Sequence, residues 1–432
     1  MRSDIVVVGG GAGGLELACK LGRKFGPSKV ALVDSRLYHI WKPSLHEVAA
    51  GTLDIHQEGL SYQMLAHDNG FRFVYGAFTA LDAAARRITI GPVVAADGET
   101  VLPERRLEYG SLVLAVGSTS NYFGVPGAQE HTISLNVTED AERFRLTLLK
   151  LLAQADELKQ EAVPAGLDIV IIGGGATGVE LAAELREASS VYASYGYQHL
   201  QALRDVRITL LEGAPRILAP LPERVSNAAL KLLGQRAIKV VTDCRVTRID
   251  ADQVTDKAGN VYRADLCVWA AGIRAPEFLA GLGLPVTKGG QIEVDGFLKV
   301  KGHADIYALG DCAACVDAEG KPVPPRAQAA HQQADFLLAT FARRAAGKPA
   351  PAKAYRYRDY GSLVSFGQST SVGSLMGSLK GLSWFVEGTV ARSMYVSLHL
   401  LHHQAVLGTV RTAVLAVARF LIKRTTPLVK LH

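Results

Sequence analysis

Short apolar runs followed by glycine clusters mark two places along this chain. Near the N-terminus the β-branched run Ile5–Val8 leads directly into a glycine cluster at residues 9–14. Residues 15–21 then have helical character, and a second apolar run at residues 29–33 ends at Asp34. This order predicts a strand, a tight turn, a helix and a second strand with a carboxylate at its end.

The first glycine cluster fits the pattern G-x-G-x-x-G, and the acid follows at the expected distance of about 20 residues. The first glycine permits a tight turn, the second lets a pyrophosphate approach the backbone, and the third lets the helix pack on the strand. The phosphate is then placed at the positive end of the helix. We therefore predict a dinucleotide-binding turn with its ribose-binding acid, formed by Gly9, Gly11, Gly14 and Asp34.

The same unit recurs in the middle of the chain. A strand at residues 168–172 precedes a second glycine cluster, and a later strand ends at Glu212. The fingerprint residues of this cluster are Gly173, Gly175 and Gly178. The longer interval to the acid predicts a longer helix or an insertion around residues 190–205. Because each fingerprint has its own acid, the chain is predicted to bind two dinucleotides.

Three more apolar runs end in small residues. They cover residues 112–117, 267–272 and 306–311, and the last one runs into Gly310-Asp311. The order of fingerprint, small-residue strand, second fingerprint, second small-residue strand and Gly-Asp resembles that of glutathione-reductase-like flavoproteins with two Rossmann-like domains.

That resemblance implies an α/β fold with FAD in the first unit and a nicotinamide nucleotide in the second. It also implies that Asp311 binds the ribityl chain of FAD and that the FAD domain is discontinuous. Ala115 and Gly117 are expected at the flavin nucleotide, and Ala271 and Gly272 at NADH. The FAD-binding domain is expected to consist of residues 1–130 and 289–350, with an NADH-binding domain at 165–288 and a membrane-anchoring region at 355–432.

Composition narrows the class of protein. At 432 residues the chain is long enough for two to three domains. The net charge of +6 comes entirely from residues 388–432, which hold six basic side chains and no acid. A neutral body with a basic end argues against a nucleic-acid-binding protein and suggests an anionic surface met at one end. No stretch is apolar enough over about 20 residues to predict a transmembrane helix.

The cysteines bear on the electron acceptor. Disulfide reductases of this superfamily carry a redox cysteine pair, and none stands in the expected regions here. Among the five cysteines only Cys312 and Cys315 are closely spaced. A small, buried, inert use is favoured for this C-x-x-C pair, while a redox or metal role stays open. No metal site is predicted.

A polar helix start follows the Gly-Asp strand, with the sequence Ala327-Gln328-Ala329-Ala330-His331-Gln332. The two glutamines are four residues apart and share one helix face. This A-Q-x-A-x-Q pattern resembles the quinone-site motif of type II, non-proton-pumping NADH:quinone oxidoreductases. The resemblance extends over essentially the whole chain and looks particularly like the proteobacterial branch. It includes Trp41-Lys42-Pro43, Gly178-Val179-Glu180 and the C-terminal Lys430-Leu431-His432.

The family resemblance implies non-covalently bound FAD, NADH as substrate, and ubiquinone or menaquinone as acceptor in a respiratory chain. The residues expected to be catalytic are Glu180, Gln328, Gln332 and Lys380. Further flavin contacts are expected from Lys42, Pro43, Ala327 and Gln328, and Glu180 is expected to meet NADH. A homodimer at the cytoplasmic face of the bacterial inner membrane is also expected.

The C-terminal segment carries one more pattern. Apolar residues recur at helical spacing at Val406, Val410, Val414, Val417 and Leu421. With the basic residues nearby, this predicts an amphipathic helix in the membrane interface, so that residues 388–432 meet an anionic lipid surface. The alternative is a helix packed on the protein's own core.

The nucleotide preference and two alternative functions complete the sequence-based expectations. The acid Glu212 favours NADH over NADPH because a 2′-phosphate would lie against a carboxylate, although Arg216 could soften that preference. A soluble NADH oxidase or diaphorase of the same superfamily would need no membrane contact. A non-catalytic flavoprotein would bind NADH tightly and turn over slowly or not at all.

Overall fold

The computed structural model describes residues 1–161, 163, 165–367, 370–376, 383–422 and 429–430. These residues form an α/β protein with one mainly parallel and one parallel sheet flanked by helices, followed by a small antiparallel sheet and two C-terminal helices. The predicted fold class with two Rossmann-like units is confirmed.

The first sheet has seven strands. In spatial order, its parallel strands are Arg72–Tyr75, Val30–Asp34, Arg2–Val8, Arg105–Leu114 and Ile306–Ala308. Two antiparallel strands, Arg87–Ile90 and Phe78–Asp82, extend the sheet beside the first half of the long strand. The run Ile5–Val8 is buried, as expected for a parallel strand covered on both faces.

The second sheet has five parallel strands. In spatial order they are Ile133–Ser134, Leu266–Trp269, Leu167–Ile172, Val206–Leu211 and Ile238–Val241. An antiparallel meander stands beside this sheet and consists of Val246–Ile249, Gln253–Asp256 and Val261–Arg263.

The connections between the two units pair with each other. Thr119–Ser120 leaves the first unit and forms an antiparallel pair with Ile273–Arg274, which returns to it. The strand Ile133–Ser134 and the helix Thr138–Gln160 belong to the second core, whereas residues 279–284 pack in the first. We therefore propose limits of 121–272 for the second unit in place of 165–288, because the core contacts follow this pairing.

The helices alternate with the strands as the pattern predicts. The α-helices are Ala12–Phe25, Leu45–Ala50, Ile55–Glu58, Tyr62–Asn69, Ala128–His131, Thr138–Gln160, Ala176–Tyr195, Ala202–Asp205, Glu223–Gln235, Ala327–Ala345, Gly388–Leu407 and Thr409–Ile422. The helix after the second glycine cluster is longer than the one after the first, and a short helix at Ala202–Asp205 follows it. This explains the longer interval to Glu212.

Shorter elements complete the chain. The 3₁₀ helices are Lys42–Ser44, Glu277–Leu282 and Gly310–Cys312. The remaining paired strands are Tyr38–His39 with Leu60–Ser61, Val93–Val94 with Thr100–Leu102, and Ile292–Glu293 with Ala313–Ala314. The C-terminal antiparallel sheet consists of Gly361–Phe366, Thr370–Met376 and Ser383–Glu387.

The C-terminal helices correct the predicted apolar stripe. Val406 lies near the end of Gly388–Leu407 and is buried in the first core, so it does not belong to the stripe. Gly408, with a φ of +81°, separates that helix from Thr409–Ile422. The other four residues stand on the second helix and are exposed, with Val410 at 78% and Val414 at 65%. No helix in the described ranges is long and apolar enough to cross a membrane.

Candidate active site

In the first glycine turn, the first and third fingerprint glycines have no room for a side chain, whereas the second glycine faces open space. Gly9 has a φ of +102°, and a Cβ there would lie 2.4 Å from the carbonyl oxygen of Ala115. A Cβ on Gly14 would lie 2.0 Å from the carbonyl oxygen of Gly9. A Cβ on Gly11 would meet no atom within 4 Å. Open space therefore faces the N-terminus of helix Ala12–Phe25, where phosphate groups bind favourably.

The second turn repeats this geometry. Gly173 has a φ of +112°, and a Cβ there would lie 2.7 Å from the carbonyl group of Ala270. A Cβ on Gly178 would again lie 2.0 Å from the carbonyl oxygen of the first glycine, whereas Gly175 faces open space. Both turns thus fit a dinucleotide pyrophosphate.

The two acids are held against their turns by the backbone. Asp34 accepts a hydrogen bond from the N–H of Gly10 at 2.6 Å. Glu212 accepts one from the N–H of Gly174 at 2.5 Å and another from Ala214 at 2.7 Å. The structure thus brings each predicted acid to the end of the turn that was assigned to it.

The open space at Gly175 yields a test of the second turn. Gly175→Ala should fold normally and keep the flavin, because the φ of −73° suits any residue and the new methyl group meets no protein atom. It should raise the KM for NADH about tenfold, since the methyl group occupies space expected for the pyrophosphate. Steady-state kinetics and the bound flavin absorbance measure the two effects. Gly178→Ala is the contrasting variant, and its clash at 2.0 Å should prevent stable folding.

Small residues follow the strands Arg105–Leu114 and Leu266–Trp269 and lie beside the two glycine turns. Gly117 has a φ of +74° and open space around it, while Ala115 contacts Gly9. In the second unit the peptide between Ala270 and Ala271 contacts the turn at Gly173. A Cβ on Gly272 would lie 2.4 Å from the ring of Phe123. The backbone nitrogen of the predicted Ala271 lies 2.7 Å from the Cβ position of Gly173, the same distance as the carbonyl group of Ala270, so both residues adjoin the turn.

A polar chain joins three segments at the carboxyl edge of the first sheet. Lys42 Nζ donates to the carbonyl oxygen of Ser118 at 3.0 Å. Ser118 Oγ donates to Asp311 Oδ2 at 2.7 Å. Pro43 follows in the same 3₁₀ helix as Lys42. Predicted flavin residues from positions 42 and 311 therefore meet, and Ser118, which no motif indicated, connects them.

The two glutamines of the A-Q-x-A-x-Q helix hold the segment that follows it. Gln328 Oε1 accepts from the Tyr357 hydroxyl at 2.7 Å. Gln332 donates to the carbonyl oxygen of Arg358 at 2.8 Å and accepts from its N–H at 3.0 Å. Ala327 opens this helix as predicted. Both the NH₂ group and the oxygen of the Gln332 side chain are thus engaged by Arg358. Of the Gln328 side chain, the oxygen is engaged by Tyr357. Lys380 lies outside the described residues.

Glu180 is buried between the second turn and the C-terminal sheet. Its Oε1 accepts from the N–H of Ser365 at 3.0 Å, and its Oε2 lies 3.8 Å from His46 Nδ1. Burial raises the pKa of Glu180 to about 7, against an opposing effect of His46. A carboxyl group with this pKa exchanges a proton near neutral pH, which suits a proton donor or acceptor.

Glu184 was not indicated by the sequence, although it lies one turn after Glu180 on the same helix. It accepts from Thr52 Oγ1 at 2.5 Å. Burial, and next the charge of Glu47, raise the pKa of Glu184 to about 7. Two buried carboxyl groups and His46 therefore gather on one side of the second-turn helix.

The raised pKa of Glu184 predicts a pH-dependent stability. Because the pKa is higher in the folded than in the unfolded protein, the folded state loses stability as pH rises from about 4.5 to about 7. Glu184→Gln keeps an acceptor for Thr52 and removes this loss. At about pH 8 the variant should be about 1 to 3 kcal/mol more stable than the parent. Thermal unfolding of the flavin-loaded proteins measures the difference, which should shrink at about pH 5. Lower stability of the variant at both values would contradict the account.

The C-x-x-C pair is buried. Burial raises the pKa of Cys312 and of Cys315 to about 11, so both thiols are protonated at neutral pH. Protonated, buried thiols favour the inert role over a redox one.

One group among the described residues has metal-ligand spacing, formed by Glu58, His399 and His403. The guanidinium of Arg419 contacts Glu58 and lies 3.4 Å from His403 Nε2. The positively charged Arg419 side chain therefore already neutralises Glu58. We assign this cluster to an ion pair rather than to a metal site.

Comparisons with known proteins identify the family of this chain. The pyridine nucleotide-disulphide oxidoreductase family model matches residues 3–334. A type II NADH:quinone oxidoreductase of Haemophilus influenzae is 36% identical and is aligned over 99% of this chain and 100% of its own length. The chain belongs to the type II NADH:quinone oxidoreductase family. A demethylphylloquinone reductase of Synechocystis is 30% identical over 87% of each chain.

Solved structures support the fold of this family member. The structure titled NDH2 from Plasmodium falciparum in complex with NADH has a TM-score of 0.81, is 18% identical and covers 100% of both chains. A sulfide:quinone oxidoreductase from Aquifex aeolicus has a TM-score of 0.71 at 18% identity and covers 94% of this chain and 92% of its own.

Proposed function

We propose that this protein oxidises NADH and reduces a membrane quinone with FAD as the intermediate carrier, without pumping protons. The observation that carries the proposal is the pair of complete dinucleotide turns, each with open space at its second glycine and its own acid, in a member of this family. FAD, when bound, accepts hydride from NADH and passes two electrons to the quinone.

The protein's own residues bind and orient these molecules. Asp34 and Glu212 are oriented by backbone N–H groups to receive a ribose at each turn. The chain of Lys42, Ser118 and Asp311 at the carboxyl edge of the first sheet is assigned to the flavin. Glu180 is assigned to hold a proton near the nicotinamide and quinone, because its pKa of about 7 allows exchange. Gln328 is assigned to the quinone entrance. Gln332 is assigned to support that entrance by holding the backbone of Arg358.

Specificity for NADH follows from two side chains. The carboxylate of Glu212 would repel a 2′-phosphate. Arg216 donates to the carbonyl oxygen of Leu221 at 2.9 Å and to Ser226 Oγ at 2.7 Å, so its guanidinium is already held by acceptors of the protein. This argues against a softening of the preference by Arg216.

Membrane contact is assigned to the C-terminal helices, as a peripheral rather than spanning arrangement. Helix Thr409–Ile422 exposes four apolar residues on one side. Three basic residues of the tail form ion pairs within the protein, namely Arg411 with Asp68, Arg419 with Glu58, and Lys430 with Asp54. Apolar burial is therefore expected to contribute more to lipid binding than charge does. A homodimer, a respiratory role and the cytoplasmic face of the inner membrane complete the proposal and rest on the family resemblance.

The apolar helix also argues against a soluble NADH oxidase. The buried Glu180, whose pKa is raised to about 7, argues against a non-catalytic flavoprotein. The test is NADH-to-quinone turnover in liposomes that contain a pH-sensitive dye. We expect quinone reduction with no proton gradient. A gradient that forms during NADH oxidation would refute the non-pumping assignment, and absence of turnover would refute the enzyme.

A further inference from the structure

A continuous hydrogen-bonded chain joins the first glycine turn to the C-terminal helix. His39 Nδ1 lies 2.9 Å from the carbonyl oxygen of Gly10, and His39 Nε2 lies 2.9 Å from His402 Nε2. His402 Nδ1 lies 2.8 Å from Glu16 Oε1, and the second oxygen of Glu16 contacts His331. His39, His402 and Glu16 are buried. The chain thus connects the fingerprint turn to helix Gly388–Leu407, far along the sequence.

The protons of this chain can be counted from the partners. A carbonyl oxygen only accepts, so His39 carries a proton on Nδ1. Burial acts to raise the pKa of Glu16, but the hydrogen bonds and charges of His331 and His402 outweigh it and lower the pKa to about 2. Glu16 is therefore a carboxylate, and His402 carries a proton on Nδ1. The contact between the two Nε2 atoms needs one further proton, so the histidine pair carries one positive charge.

That charge belongs on His402. Burial, and next the charge of His402, lower the pKa of His39 well below its usual range. His402 lies against the Glu16 carboxylate, which stabilises an imidazolium. Besides Glu16, the titratable and charged groups near the pair among the described residues include Asp34, Arg36, Lys20, Arg23, Tyr62, His331, Asp335, His399 and His403.

The bond to Gly10 matters because of peptide geometry. The carbonyl oxygen of Gly10 and the N–H of Gly11 belong to one trans peptide and point in opposite directions. His39 and the Tyr62 hydroxyl, at 2.8 Å, both hold that oxygen on the protein side. The N–H of Gly11 is thereby directed to the open side of the turn, where a phosphate oxygen would accept it.

We propose that His402 is a positioning residue for the flavin, and that it couples FAD binding to docking of helix Gly388–Leu407 through the His39 contact to Gly10. The inference rests on the proposed assignment of the first turn to FAD. Coupling is reciprocal: FAD should stabilise the docked helix by the same factor by which the docked helix strengthens FAD binding. Without the His402 imidazole, His39 Nε2 loses its partner at 2.9 Å, and both FAD binding and helix docking should weaken.

The experiment measures FAD affinity of full-length apoprotein in detergent by flavin fluorescence. His402→Ala should bind FAD about tenfold more weakly at about pH 7, as expected for loss of a charge-assisted hydrogen bond. The same variant should also lose the protection that FAD gives to the C-terminal helix in the parent. Gln404→Ala, on the same helix and exposed, is the control and should match the parent.

A second readout needs no variant and covers a failure of His402→Ala to fold. Trypsin cleavage at Arg411, in the first turn of helix Thr409–Ile422, should be slowed by FAD in the parent protein. If FAD leaves the cleavage rate unchanged, or if His402→Ala and Gln404→Ala bind FAD equally, the coupling is refuted while the flavin assignment stands. If the parent apoprotein binds no FAD at all, the proposed function itself fails.

Discussion

Replacing Glu180 with Gln should lower NADH-to-quinone turnover about a hundredfold and leave FAD bound, because loss of general acid catalysis typically costs that much or more. Gln keeps the acceptor for the Ser365 N–H and the same volume, so the fold should survive. The missing property is the exchangeable proton. Stopped-flow absorbance at the flavin band separates reduction by NADH from reoxidation by quinone and shows which half-reaction is slowed.

The pH profile distinguishes a chemical from a structural role of Glu180. Since burial raises the pKa of Glu180 to about 7, the group is protonated below that value and loses its proton above it. The proton-dependent half-reaction of the parent should therefore slow as pH rises through about 7, and the profile of Glu180→Gln should be flat there. Full turnover with an unchanged pH profile in the variant would remove Glu180 from the mechanism.

The double variant Val414→Asp with Val417→Asp should abolish liposome binding. Both side chains are mostly exposed on helix Thr409–Ile422, and burying two valines in lipid contributes about 3 kcal/mol or more. Two carboxylates at an anionic surface add repulsion, so binding should fall at least about a hundredfold. Flotation with vesicles that contain anionic lipid measures this.

Two controls sharpen the membrane test. Leu203→Asp places the same charge at a residue that is 65% exposed on a different helix, and it should bind vesicles like the parent. NADH oxidation with a water-soluble dye should be unaffected in the double variant, because the dinucleotide turns lie elsewhere. Vesicle binding retained by the double variant would show that a different surface meets the lipid.

Much of the dinucleotide chemistry could be read from local patterns. Gly9, Gly11 and Gly14 act within one turn, and their roles follow from backbone geometry that recurs whenever a strand enters a helix this way. Asp34 and Glu212 each stand at the end of the strand that pairs in parallel with the strand leading into the glycine turn. Parallel pairing alone therefore brings each acid to its turn. These features need no knowledge of distant contacts.

The remaining site residues depend on contacts between distant segments. Glu184, Ser118 and His402 gain their surroundings from residues 132, 193 and 386 positions away in the sequence. No spacing rule links such positions. The predicted stripe failed at Val406 for a related reason: helical spacing continued through Gly408, but the positive φ there turns the chain and leaves Val406 on the buried side.

The central claim is that electrons pass from NADH through the flavin to quinone, and anaerobic stopped-flow spectroscopy tests it most directly. Flavin-loaded protein is mixed with NADH and then with a short-chain quinone. The account predicts rapid bleaching of the flavin band followed by its full recovery, with one quinone reduced for each NADH consumed. Bleaching without recovery would contradict the account and point to a soluble acceptor instead.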